Sequence, residues 1–279
     1  MFAEYKHSLR RLRGNIIGWG IGMFLYDLMM GGLYSSMKDL GDQYMQLLKS
    51  FPPELLAFFP SIQDFASPIG YIDTYFSSYM PIILGIFAIG SCAKLLVGDE
   101  EKGILDLVGA HPISRASLYW SRFLGFVTAT LIIMVISWLG WVIPAENAGF
   151  TLTPVDFALP FLPLLAELML FGAFALFLSM LMPSARMASG LTSALLIGNF
   201  LLTGMSGINE KLLPIYEVSP LFFHQGAKAI EGVNWGWLGG LFGVALVLTL
   251  MAWWLFERRD IRVGGEAGWK LPVPAFFKK

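Results

Sequence analysis

Six stretches of this chain are apolar for about 20 residues at a time, and no other feature narrows its fold so far. They cover roughly 14–35, 77–98, 118–143, 158–182, 188–206 and 237–256. A run of about 20 apolar residues is what an α-helix needs to cross the hydrocarbon core of a bilayer. Inside that core each backbone N–H and C=O must be satisfied within the segment, so isolated apolar runs cross as helices. Composition agrees: 56% of residues are hydrophobic and 14% charged, against about a quarter charged in a soluble domain. The expected fold class is an all-α polytopic membrane protein of six transmembrane helices, one domain over residues 1–279. The net charge of −1 gives no reason to expect a nucleic-acid partner. A single cysteine, Cys92, excludes an intrachain disulfide and reads as a small buried residue. The first apolar run is too long for a signal-peptide core and lacks a small-residue cleavage site, so it reads as an uncleaved membrane helix.

Lysine and arginine set the expected orientation. Lys6, Arg10, Arg11 and Arg13 precede the first run. Lys94, Lys102, Arg115 and Arg122 frame the second connection, Arg186 lies in the fourth, and Arg258, Arg259, Arg262, Lys270, Lys278 and Lys279 follow the last run. The other side holds only Lys38, Lys49, Lys211 and Lys228. Both termini are therefore expected in the cytoplasm. Residues 2–13, with Phe2, Tyr5, Leu9 and Leu12 between basic residues, suit an amphipathic helix on the inner leaflet. Residues 36–76 and 207–236 are long but apolar, which fits short helices on the outer face or re-entrant pieces. Trp138, Trp141, Trp235 and Trp237 are expected as anchors at the outer boundary, and Trp19, Trp120, Trp253 and Trp254 at the inner one. Lys94 and Arg122 are expected to snorkel to the inner boundary.

Small residues recur every four positions in two runs: Gly14, Gly18 and Gly22, then Gly190, Ala194 and Gly198. Such faces let helices approach closely, either within one subunit or between two. Asp27 and Glu167 fall inside apolar runs, where a charge costs about 2.5–3.5 kcal/mol on insertion scales. Each is either a hydrogen-bonded structural acid or part of a translocation path. Asn199 reads as interhelical glue, with a place on that path as the alternative.

Soluble-enzyme chemistry is missing. No Gly-Lys dipeptide occurs, so the phosphate-binding loop G-x-x-x-x-G-K-[ST] is excluded. His7, His111 and His224 form no H-E-x-x-H, and there is no G-x-S-x-G elbow.

The segment between the second and third runs is more elaborate than a loop requires. Asp99, Glu100 and Glu101 supply negative charge at a helix start. Ile104, Leu107 and Val108 form an apolar stripe flanked by Leu105, while Lys102 and Asp106 share the polar side. Gly109 and Pro112 stop the helix, and Ser114 can cap the next one. Asp99-Glu100-Glu101-Lys102-Gly103-Ile104-Leu105-Asp106-Leu107 followed by His111-Pro112-Ile113-Ser114-Arg115 resembles the E-E-x-G-T-L-x-L-L…P-[IV]-S-R pattern of exporter-type (type-2) ABC transporter permeases. Ser67-Pro68-Ile69-Gly70-Tyr71 with Pro81, Ser219-Pro220, and Phe256-Glu257-Arg258-Arg259-Asp260-Ile261 resemble further pieces of those proteins. Asp99 before the two glutamates and Ile104 for the usual Thr depart from the pattern without removing its acids or apolar face.

The resemblance implies a permease subunit in a bacterial or archaeal plasma membrane, working with two ATPase subunits and a second permease subunit, as homodimer or heterodimer. ATP and Mg would bind to the ATPase, and this chain would bind no cofactor. Asp99, Glu100, Glu101, Gly103, Ile104, Leu105 and Leu107 would dock the ATPase, and Pro112, Ser114 and Arg115 would orient the third helix. The faces of Gly14, Gly18, Gly22, Gly190, Ala194 and Gly198 would form the subunit interface. Two alternatives stand beside it: an ATP-independent carrier or channel using Asp27 and Glu167, and a membrane sensor or scaffold.

Overall fold

A computed structural model describes residues 2–48, 50–52, 56, 60–105 and 113–259. The described residues are helical, without strands, and six helices are long and apolar enough to cross a membrane. We name the long helices α1 (Phe2–Asp39), α2 (Met80–Ala93), α3 (Arg115–Ala145), α4 (Phe161–Leu181), α5 (Ala185–Ser206) and α6 (Trp235–Arg258). A helix Pro68–Ile72 and a π turn Asp73–Ser77 lead into α2, so the second membrane-length unit is Pro68–Ala93. Its start is legible afterwards: Ser67 Oγ accepts from Gly70 N at 3.0 Å, and Pro68 sits in the first turn. Gly70 is required there, because a Cβ would lie 2.6 Å from the Asp64 carbonyl carbon.

α4 is apolar all round and is the most buried of the six, as a helix without a polar face must be. It packs against α2, α5 and α6, with Gly172 admitting Cys92 Sγ and Phe126. Cys92 is buried and free, as expected.

α1 lies along α3 for most of its length. The small residues at this contact are Gly125, which receives Ser8, Gly20, which receives Ile136, Gly31, which receives Pro144, and Gly140, which receives the backbone at Phe24 and Leu28. Helix α1 is also longer than expected. Residues 2–13 continue it instead of lying on the membrane, because α3 holds them straight: Tyr5 and Thr128 share a hydrogen bond of 3.0 Å, and Glu4 pairs with Arg122. At 1.5 Å per residue a 38-residue helix is about 57 Å long, so it projects beyond any bilayer core.

Two aromatic and basic assignments change. Trp141 is buried in a cluster with Tyr71, Phe76 and Phe157 and anchors no boundary. Arg122 is buried in an ion-pair network and does not snorkel.

The bundle has a basic end, with the start of α1, residues 94–105 and 113–114, and the end of α6. At the opposite end Asp73 accepts from Ser61 Oγ at 2.5 Å and Ala227 N at 2.9 Å, joining the two long connections. Short helical pieces fill those connections, among them Pro60–Asp64, Leu213–Tyr216 and Gly226–Ile230. Back at the basic end, Ser114 caps α3 as anticipated, its Oγ accepting from Ser117 N at 3.2 Å. Ser114→Ala should cost about 1 kcal/mol, read as a lower melting temperature in detergent.

Candidate functional site

The acidic segment at the basic end is where five of the long helices are tied together. Val97–Glu100 forms one helical turn after α2. Gly103, at φ +66, ends it: Ile104 N donates to Asp99 O at 2.9 Å and Gly103 N to Glu100 O at 3.0 Å. This pair of bonds is a Schellman stop, which glycine satisfies without strain. The turn fixes three successive acids so that each meets a different partner.

Asp99 takes two arginines. Arg11 of α1 donates from both Nη atoms to its two oxygens, at 2.6 and 2.8 Å, and Arg122 of α3 approaches Oδ2 at 2.8 Å. Arg122 also donates to Glu4 Oε1 and to the Leu95 carbonyl. Burial alone would raise the Asp99 carboxyl, but the Arg11 hydrogen bonds and the charges of Arg122 and Arg11 outweigh it and hold the group below the ordinary carboxylate value. Glu100 pairs with Arg259, just past α6, and Arg259 also donates to Met180 O of α4 at 3.1 Å. Glu101 Oε1 accepts from Ala185 N at 2.8 Å, satisfying an orphan donor at the start of α5. Arg115 completes the arrangement: its Nη1 donates to the carbonyls of Phe256, Glu257 and Arg259 at 3.2, 3.3 and 2.7 Å, closing the end of α6.

The docking residues read from sequence therefore divide. Asp99, Glu100 and Leu105 are buried and offer no outward surface, because each packs or pairs inside the bundle. Glu101, Ile104 and Ser114 are exposed, and Gly103 and Arg115 are half-buried. Ile104 is 41% exposed and Ile113, across the connection, 37%. Leu107 and Pro112, with Asp106, Val108 and Gly109, lie outside the described residues. The sequence could not show that Arg11, Arg122 and Arg259 belong to this site, since the nearest lies over 20 positions from the acids.

The small faces also divide from the packing glycines. A Cβ on Gly14, Gly18, Gly22, Gly190 or Gly198 would meet nothing within 4 Å, and Ala194 is exposed. Packing within this subunit does not account for them among the described residues.

The three intramembrane polar residues go to different places. Asp27 is buried between α1 and α3 and accepts a hydrogen bond from Ser137 Oγ. Glu167 is buried in α4, and neither carboxyl oxygen has a hydrogen-bond partner among the described residues. Neither lines the described cavities. Asn199 does: it faces a largely apolar cavity of about 650 Å³ between α4, α5 and α6, with Phe171, Phe174, Phe223 and Trp237 in its walls. Among the described residues no His, Cys, Asp or Glu cluster could hold a metal.

A comparison with curated proteins returns no match. Residues 8–257 match the family described as multidrug efflux system permease Rv1217c, C-terminal domain. That match covers most of a chain with six membrane-length helices, so the chain belongs to this family and is an integral membrane transporter permease.

Proposed function

We propose that this permease is driven by a separate ATPase docked on the exposed part of residues 99–115, and that it exports apolar molecules. The observation that carries the reading is the acid triplet. One short turn is bonded to α1, α3, α5 and the end of α6, and through Arg259 to α4. A push on this turn reaches five helices at once through ion pairs and caps. The basic end is then the cytoplasmic end, and ATP with Mg binds to the partner. Two such chains, homodimer or heterodimer, would meet on the unpartnered small faces of α1 and α5. The multidrug efflux named for the family fits a path that accepts apolar molecules, and the cavity beside Asn199 has a size typical of small-molecule sites. Asp27 and Glu167, on which the carrier alternative rests, are enclosed by helices away from the described cavities.

The test is Ile104→Asp with Ile113→Asp. Both side chains are exposed, so the permease should keep its melting temperature. Loss of two apolar anchors should lower ATPase co-purification about tenfold or more. Undiminished co-purification, with undiminished drug-stimulated ATP hydrolysis, would sink the docking assignment.

A further inference from the structure

Between α1 and the end of α2, at the basic end, lies a cavity of about 300 Å³ that none of the three acids lines, although Arg11 and Arg122, the partners of Asp99, do. Two stripes face it. On α1 they are Arg11, Asn15 and Trp19, and on α2 and the residue that ends it Ile86, Gly90 and Lys94. Each set is spaced by four residues, so each forms one row along its helix at about 6 Å per step. Both rows run from a cation, through a small or amide residue, to an apolar one. Trp19 and Phe87 also line it, with ring centroids 6.4 Å apart.

The charges do not cancel. Arg11, Arg122, Asp99 and Glu4 form a neutral set of two cations and two anions. Lys94 is left over. It is exposed, and its ammonium has no hydrogen-bond or ion-pair partner among the described residues. Lys6, Arg10 and Arg13 add exposed positive charge on the same stretch of α1. Below Lys94 the α2 surface is notched: a Cβ on Gly90 would meet nothing within 4 Å, and Ile86 is 62% exposed.

We propose that this cleft binds an anionic phospholipid, with its phosphate between Lys94 and Asn15 and an acyl chain along Gly90, Ile86 and Trp19. The layering matches such a molecule from head to tail. Basic recesses between helices at a membrane boundary recognise anionic headgroups through these contacts. A bound lipid would brace α1 against α2 beside the Asp99 network. The proposal needs only membrane insertion and does not depend on an ATPase.

The experiment uses the full-length chain purified in detergent, with phosphatidylglycerol, phosphatidylcholine or glycerol phosphate added. Retained lipid is counted by native mass spectrometry and stability is followed by tryptophan fluorescence on heating. Phosphatidylglycerol should be retained and raise the melting temperature, and phosphatidylcholine should do neither. Lys94→Glu with Asn15→Ala should weaken retention about tenfold or more, while Lys94→Arg keeps it. Lys38→Glu, an exposed charge reversal at the opposite end of α1, should have no effect. Equal retention of phosphatidylcholine, or wild-type retention in the Lys94→Glu, Asn15→Ala variant, overturns the site. Glycerol phosphate competing as well as the lipid would show a free-anion site and overturn the lipid assignment.

Discussion

Asp99→Ala should destabilise the folded permease more than any other single change in the acid triplet. Asp99 and Arg122 have side chains only 4% and 3% exposed. Removing the carboxylate strands Arg122 in the bundle with Glu4 and one carbonyl. Breaking a buried ion pair from one side costs about 3–5 kcal/mol, and the surviving Glu4 contact places this case near the lower bound. Arg11 is different, being 41% exposed. Arg122 still pairs with Asp99 after Arg11→Ala, so that change should cost less, about 1–2 kcal/mol. Denaturant unfolding in detergent distinguishes the two. Equal costs would mean that the buried part of the network contributes nothing special. The pH dependence has a defined sign. Asp99 is held below its ordinary value in the folded state, so its stabilisation is full above the ordinary carboxylate range. It fades as pH falls from there through the lowered folded value. Asp99→Asn should flatten that acid limb of the stability curve.

Gly140→Leu should separate α1 from α3. A Cβ at Gly140 would lie 2.8 Å from the Phe24 carbonyl oxygen and 3.2 Å from Leu28 N. These are backbone atoms of a helix and cannot swing aside. Overpacking of this kind costs about 1–3 kcal/mol and sometimes more, and here it also stretches the Ser137–Asp27 hydrogen bond. Even Gly140→Ala should be clearly destabilising. Gly18→Ala and Gly198→Ala should instead be neutral or gain up to about 1 kcal/mol from helix propensity in the isolated chain. If those faces meet a second subunit, Gly18→Leu should change the oligomer on sizing in detergent and leave the monomer's melting untouched. Comparable destabilisation by Gly18→Leu and Gly140→Leu would erase this distinction.

The contrast between these glycines shows what was legible. Gly14, Gly18 and Gly22 have the conspicuous spacing, yet α1 turns them outward. The intimate contact is made by Gly20, Gly31, Gly125 and Gly140, which share no short repeat because they come from two helices. A four-residue spacing reports which residues share a face, but nothing about what that face meets. The acids behave alike: their helix-end position is local, while their partners Arg11, Arg122, Arg259 and the Ala185 amide are distant in the chain. Ser114 was read correctly because a cap and its amide lie three residues apart.

The amino-acid sequence by itself determined the six membrane helices and the accumulation of cations at one end, because both follow from hydrophobic run length and local composition. It also determined the cap of α3, a bond between near neighbours. Only the tertiary structure decided that Asp99 and Glu100 face inward, that Arg122 is enclosed, and that Lys94 stands at the cleft between α1 and α2 without an ion-pair partner among the described residues. Burial and pairing depend on which helices become neighbours, and that is settled by packing between residues far apart in the chain.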